Sequence, residues 1–387
     1  MKGMPQNAYD PLASRRSPDA PEVDVFVWGT VFLDLVFAGL PNAPKPGTEV
    51  WSEGLASCPG GIANLAVATR RLGLRTSLAA AFSDDDYGEF CWRTLEEQEG
   101  IDLCRSRQFP EWHSPVTVSM AFGGDRAMVS HGHPPPVSSL ELIGDPPRSR
   151  AVMVDLAETG LFEHADGPGE PGSPARAGES WVDSARRGGA LVFADVGWDP
   201  DERWDPSVLD RLSHCDAFLP NAVEAMAYTA TSSPQEALFA LADRVPIAVV
   251  TNGVDGALGI DAHTGEEAQV PSLRVHEIDA TGVGDVFAAA MLVGTLGEWP
   301  LADRMSFASL AAALALQQYG GSLAAPGWGD IADWWTGLCS DACGDAYHRS
   351  LRRRYAFLDD IVPRVPVTAC RRATATIARR ADVDDLP

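Results

Sequence analysis

Residues 279–285, Asp-Ala-Thr-Gly-Val-Gly-Asp, lead directly into the apolar run Val286-Phe287-Ala288-Ala289-Ala290. Two glycines in such a loop let successive amide N–H groups face one point, and a helix beginning there adds positive potential. Gly282, Val283 and Gly284 can thus form an anion hole that needs no lysine. Asp285, at the start of the helix, is placed to take a proton from a hydroxyl approaching the same anion. The same residues also suit a tight turn with Asp285 as an ordinary helix N-cap, and local pattern does not separate the two readings. Phe287 stands where a third glycine belongs, which excludes the dinucleotide-binding fingerprint.

Pro220-Asn221-Ala222-Val223-Glu224 follows a short apolar strand and opens a helix, setting an amide and a carboxylate one turn apart on one face. Such a pair suits a hydrated magnesium ion, which keeps several waters and rarely needs a full protein cage. It is equally an N-cap with a favourable first-turn Glu. Thr251-Asn252-Gly253-Val254-Asp255-Gly256 follows another strand, as a simple hairpin turn or as a place where a nucleotide approaches the backbone. Gly60-Gly61-Ile62-Ala63-Asn64 opens a helix, and Asp34 lies on an early extended segment. Asp and Asn are suited to bidentate hydrogen bonds with sugar hydroxyls, yet both are common turn residues. The turn at 195–200 follows a strand's carboxyl end, where α/β sites gather, and either borders a ligand or is a plain loop. His131-Gly132-His133 precedes three prolines at a hairpin end, where a metal needs further ligands and a substrate contact near the lid is the favoured reading. Cys339 and Cys343 have no second Cys or His pair near them, so zinc is not expected there.

Taken in order, the early Asp, Gly-Gly with Asn opening a helix, Asn-x-x-Glu, Thr-x-Gly-x-x-Gly and Asp-x-Thr-Gly-x-Gly-Asp resemble the ribokinase-like (pfkB-type) carbohydrate kinase family. The likeness runs from about Val23 to Pro326. It implies an α/β domain, a doubly wound and mostly parallel sheet flanked by helices, with a small β-sheet lid. It also implies transfer of the γ-phosphate of ATP, with Mg2+, to a primary hydroxyl of a small carbohydrate. Carried over by position, Asp285 is similar to the catalytic base, and Gly282, Val283 and Gly284 to the anion hole. Asn221 and Glu224 match the magnesium and phosphate pair, and Thr251, Gly253 and Gly256 match the nucleotide turn. Ser309 falls where the family often has an adenine-side Asn. Asp34, Gly60, Gly61 and Asn64 match the sugar-binding set. Asp279 and Thr281 fall on a loop that in many relatives also holds a monovalent cation, K+. The chain departs from the family pattern at Val283, Ala280, Pro59 and Ser309, none of which removes a catalytic group. Two alternatives stand beside the sugar kinase: a nucleoside kinase of the same fold, and a non-catalytic sugar-binding regulator. Retention of Asp285, Asn221 and Glu224 argues against the regulator.

The whole composition bears on these readings. The 387 residues carry a net charge of −24, which disfavours nucleic acid or an anionic membrane as partner. Lys2 and Lys45 are the only lysines. Walker A loops, protein-kinase strand lysines and pyridoxal Schiff bases each need one in a defined place, so those classes are excluded. Triphosphate charge must then be met chiefly by magnesium, backbone amides and a helix N-terminus. The longest apolar runs are too short to span a bilayer, and the first twenty residues hold no signal-peptide core. Seven scattered cysteines read as reduced thiols, so a cytoplasmic location is expected.

Strands and helices alternate through most of the chain, the mark of a parallel sheet covered on both faces. Residues 1–21 are expected to be a disordered tail, 22–326 the kinase domain and 327–387 a helical C-terminal extension. Extended pieces within 23–50 and a hairpin at 116–131 break the alternation and are assigned to the lid. One face of so small a sheet would stay exposed, with Val36, Phe37, Val118, Met120 and Phe122 as apolar candidates. The family likeness implies a homodimer through the lid as its cover, which is favoured over the other candidate, the 327–387 extension folding back on its own chain. Arg349, Arg352, Arg353 and Arg354 are read as a solvated basic face, and Trp334-Trp335 as packing for the extension.

Overall fold

The computed structural model describes residues 9–122, 125–163, 179–197, 202–340, 345–363 and 371–373. The expected Gly/Pro-rich loop at 166–178, the hairpin tip Gly123-Gly124, Trp198-Asp199-Pro200 and Cys343 lie outside them, as do 1–8 and most of 364–387. The strands are β1 (Val23–Trp28), β2 (Val31–Leu40), β3 (Gly54–Gly61), β4 (Thr76–Ala79), β5 (Ala81–Ser83), β6 (Arg107–Phe109) and β7 (Val116–Phe122). After them come β8 (Asp125–His131), β9 (Ser149–Asp155), β10 (Leu191–Asp195), β11 (Ala217–Phe218), β12 (Ile247–Thr251), β13 (Ala257–Asp261) and β14 (Glu266–Val270).

Among the described residues the main sheet has the order β14-β13-β12-β11-β10-β9-β1-β4. It is parallel from β4 to β12, and β13 and β14 close one edge antiparallel. Strand β1 shows why helices must cover both faces. Val25 and Val27 enter one apolar layer, while Phe26 and Trp28 enter the other. The first layer holds helices Ile62–Arg71, Val283–Leu296, Leu301–Ala315 and Trp328–Ser340. The second holds Trp181–Arg187, Ala222–Thr229 and Pro234–Ala242. Helix Val283–Leu296 is apolar nearly all round because it lies between Ile62–Arg71 and Leu301–Ala315. The fold is the expected α/β arrangement, with a mostly parallel central sheet and a small second sheet.

That second sheet has the order β3-β2-β7-β8. Its membership corrects the expectation in two places. Strand β1 belongs to the main sheet, and the strand beside β2 is Gly54–Gly61 rather than a piece near Val50. The Cys-Pro-Gly-Gly run, which resembles a loop before a helix, is held extended by pairing Asp34 with Cys58 and Phe32 with Gly60. Asp34, Val36 and Ala38 face inward and are buried. Val36 is therefore not on the outer face, where Leu35, Phe37, Val118 and Met120 are half-buried and Val129 is 62% exposed.

The expected disordered tail is corrected from residue 9 onward. Leu12 is fully buried, Tyr9 packs edge-on to Trp328, and Arg16 forks onto the buried Asp24 carboxylate at 2.8 Å through both terminal nitrogens. At the other end, Trp328 is buried, stacks on Phe307 and donates its indole N–H to the Leu72 carbonyl at 2.8 Å. Trp334 meets Tyr355 edge-on, and Trp335 donates to Asp359 at 2.8 Å. The basic cluster is only partly a solvated face: Arg352 and Arg354 donate to the carbonyls of Leu338 and Pro271.

Arg71, at the end of helix Ile62–Arg71, is fully buried. Its guanidinium forks onto Glu99 at 2.9 and 3.1 Å and donates to the carbonyls of Leu323 and Ala325 at 2.8 and 2.6 Å. Burial alone would push the Glu99 carboxyl up, but Arg71, followed by Arg371, holds it below the usual range. Removing one member of such a buried set leaves a carboxylate and two carbonyls underserved. Arg71→Met is expected to lower unfolding stability by about 3–5 kcal/mol, read as an earlier denaturant midpoint at unchanged slope.

Candidate active site

Parallel strands deliver their carboxyl-terminal residues to one edge of the sheet, and acids gather there. Asp155 ends β9 and Asp195 ends β10, directly opposite each other in register. Asn221 follows β11 and pairs with Thr251, the last residue of β12. A cavity of about 550 Å³ opens above this edge. Its walls include Trp28, Gly61, Asn64, Asp155, Asp195 and Asp285, with Trp112 and His133 contributed by the lid side. A smaller adjoining cavity of about 270 Å³ is lined by Asn221, Glu224, Thr251 and Gly284. Asp195 and Asp285 line both.

Asp285 reaches this position because Gly282 turns the chain. Gly282 has φ +74° and is the N-cap of helix Val283–Leu296, and Gly284 and Asp285 in the first turn of that helix line the small cavity. A Cβ on Gly284 would meet nothing within 4 Å, whereas one on Gly282 would come 3.0 Å from Asn64 Cγ. Val283, larger than the family pattern favours, packs its side chain against the helical core instead of the loop. Asn64, in the first turn of helix Ile62–Arg71, thus packs against the loop, and its Oδ1 is buried without a hydrogen-bond partner.

Three carboxyl groups here are strongly perturbed. Desolvation pushes Asp285 up to about 7, partly opposed by a hydrogen bond from the Asn64 side chain. Desolvation also raises Asp195 to about 7, with repulsion from Asp285, Glu224 and Asp155 adding to it. Asp34 reaches about 7 through burial and the charges of Asp279 and Asp285. Burial likewise raises Asp155 and Glu224.

Asn221 and Glu224 form a reciprocal capping box: Glu224 N–H donates to Asn221 Oδ1 at 3.0 Å, and Asn221 N–H to Glu224 Oε2 at 3.1 Å. The box fixes Glu224 against the small cavity. Asp34 is buried on β2 beneath Gly60, where a Cβ would fall 1.9 Å from its Oδ2. Asp279 accepts the Thr281 N–H at 2.9 Å and the Gly320 N–H at 3.4 Å. The Thr281 hydroxyl accepts from Arg126 of the lid at 3.3 Å.

Gly253, Gly256 and Ser309 line neither cavity. Gly256 has a local reason for its type: φ is +91°, and a Cβ would meet the Val270 carbonyl at 2.0 Å. Ser309 is buried within helix Leu301–Ala315. Sequence reasoning missed Asp155 altogether and left Asp195 undecided. Their shared signal is an acidic residue closing a predicted buried strand. It also could not place an arginine, and Arg126 is the one that the structure brings to the Asp279–Asp285 loop.

Residues 25–327 match the family described as pfkB family carbohydrate kinase. The chain is 28% identical to the fructokinase of Escherichia coli over 251 residues, which is 62% of this chain and 78% of that protein. Among solved structures it is similar to Arabidopsis thaliana ribokinase complexed with ribose and ATP, with a TM-score of 0.62 and 20% identity over 81% of this chain and 98% of that one. It is similar also to aminoimidazole riboside kinase from Salmonella enterica, with a TM-score of 0.59 and 24% identity over 79% of this chain and 97% of that one.

Because Asp34, Asp195 and Asp285 bind protons more tightly folded than unfolded, their contribution to stability is fully present below pH 3.8 and is lost as pH rises through about 7. The ligand-free protein should accordingly show a higher thermal midpoint at pH 5.5 than at pH 8 in calorimetry. Asp195→Asn should shrink that difference, and a midpoint that rises with pH would overturn this account.

Proposed function

Since the chain belongs to the pfkB family of carbohydrate kinases, we propose that it transfers the γ-phosphate of ATP to a primary hydroxyl of a small carbohydrate. The observation that carries this reading is the position of Asp285 on the wall common to the two cavities, at the mouth of helix Val283–Leu296. The larger cavity takes the acceptor and the smaller the phosphate end of ATP. Asp285 then accepts the acceptor's hydroxyl proton as its oxygen bonds to phosphorus and the bond to the ADP oxygen breaks. A pKa near 7 is suited to a base working at neutral pH. The amides of Gly282, Val283 and Gly284 hold the phosphoryl oxygens, with the helix N-terminus adding positive potential. Phosphoryl transfer needs mainly such positioning and charge stabilisation.

Asn64 Oδ1, buried and unpartnered, is an acceptor for an acceptor-sugar hydroxyl. Gly61 lines the same cavity as Asn64, and Asp34 packs under the neighbouring Gly60. On the ATP side, Thr251, Asn221 and Glu224 line the small cavity. The donor set at Asn221, Glu224 and Asp195 fits magnesium: it offers oxygen ligands, and the desolvation that raises Asp195, with the repulsion of neighbouring acids added to it, is what a hard divalent ion relieves. When bound there, magnesium supplies positive charge to the phosphate oxygens. Potassium at Asp279 and Thr281 finds a less ready site, because the Arg126 guanidinium already donates to the Thr281 hydroxyl and places a positive charge there. Arg126 adds the cationic side chain that the lysine-poor sequence otherwise lacks at this loop.

A nucleoside acceptor is the second reading, favoured by Trp28, Phe32 and Trp112 on the wall of the larger cavity. Measuring ADP release across a panel of sugars and nucleosides separates the two. On the best acceptor, Asp285→Asn is expected to lower kcat by about 10²–10⁴ with ATP binding retained. Glu224→Gln should raise the magnesium concentration for half-maximal turnover. Full turnover in the first variant would remove Asp285 from the mechanism.

The half-exposed outer face of the lid, with Leu35, Phe37, Val118, Met120 and Val129, is covered by a second copy in a two-fold dimer. Light scattering should therefore report about twice 41.3 kDa. A constant 41.3 kDa species at high concentration would reject the dimer.

A further inference from the structure

The rim of the larger cavity carries a cluster that the kinase chemistry leaves unused. His113 lies in the segment before β7, His131 ends β8 and His133 follows two residues later. One ring nitrogen from each lies within 4.8 Å of the others. The ring centroids are 5.0–5.4 Å apart.

The backbone explains how residues so far apart in sequence meet. Strands β7 and β8 pair antiparallel with Val116 opposite His131, and the hydroxyls of Thr117 and Ser130 join at 2.9 Å. Just beyond, Gly132 lies so close to the other segment that a Cβ would fall 2.8 Å from Pro115 Cβ. The Trp112 indole N–H donates to the Pro134 carbonyl at 3.1 Å, closing the loop on the far side. Alternation in an extended chain then sends His131 and His133 to one face. The His113 Nδ1 contacts the Ser114 carbonyl at 3.3 Å, and since a carbonyl only accepts, that nitrogen carries the proton and Nε2 keeps its lone pair.

We infer that His113, His131 and His133 bind a divalent transition-metal ion, Zn2+ by ligand chemistry, at the lid rim of the larger cavity. Three imidazoles with no carboxylate or thiolate among them do not suit the hard ions Mg2+ and Ca2+. They match a tetrahedral zinc site with its fourth position left to water. Zn–N bonds of about 2.0–2.1 Å require the three nitrogens to close to about 3.3 Å, which rotation of the exposed His131 and His133 side chains provides. Because His133 and Trp112 both line the cavity, an ion here pins the end of β8 to the segment before β7 and stiffens that part of the wall.

The test uses the full-length protein after chelator treatment and desalting, titrated with Co2+ and then Zn2+ alone. One Co2+ per chain should give visible ligand-field absorption, and Zn2+ should displace it and raise the thermal midpoint. His113→Ala and His131→Ala should each weaken binding by more than the roughly 10–100-fold that loss of an outer partner costs. Both variants should keep the metal-free circular dichroism spectrum and midpoint, since neither side chain is in the core. Absence of the cobalt bands, or undiminished binding in the double variant, would overturn the proposal. The second result would place the ion elsewhere, such as on the exposed Cys104 or Cys339.

Discussion

The buried guanidinium of Arg71 is the constraint on which the rest of the site leans. It sits at the far end of helix Ile62–Arg71, whose opposite end presents Gly61 and Asn64 to the cavity. Through Glu99 it holds the end of the helical turns Thr94–Glu99, and through Leu323 and Ala325 it holds the short turn Gly321–Ala324. That turn passes directly beside Asn64 and Cys58, since a Cβ on Gly321 would lie 3.1 Å from Cys58 Sγ. Gly320, just before it, donates to Asp279. One desolvated cation thus sets the spacing between the acceptor side and the anion loop, and no apolar side chain could satisfy the same two carbonyls and carboxylate together.

Above that frame the site solves a problem of charge with little basic material. Asp155, Asp195, Glu224 and Asp285 converge because each ends a strand or begins a helix at one edge of a parallel sheet. Their mutual repulsion, apparent in the rise of Asp195, is a cost in the free protein. The same arrangement favours a divalent ion, and the helix N-terminus favours phosphate, so ligand binding removes strain that folding put in. Arg126 approaches from the small second sheet, so the added cation comes from a different element from those that bring the acids.

What could be read from the sequence was what short stretches of chain determine. The Gly282–Asp285 turn and the Asn221–Glu224 capping box are local devices, complete within a few residues, and both stand where the pattern put them. Elements settled by distant partners were misread. Pro59-Gly60-Gly61 is extended because β2 pairs with it, and β1 leaves the lid because β4 and β9 claim it. The order after residue 9 rests on Asp24, a buried acid whose need for Arg16, Arg75 and Arg150 no local pattern announces. His113 escaped notice for the same reason, because its two companions lie across a hairpin.

Gly60 and Asp34 share one volume of space. The carboxylate occupies the room that any side chain at position 60 would fill, so the two positions form a single genetic locus written at two addresses. Lineages that keep the acid are bound to keep the glycine, whatever else that position does. A glycine of this kind inherits the selective weight of the carboxylate it shelters, and in a mutational scan it would score as an acid.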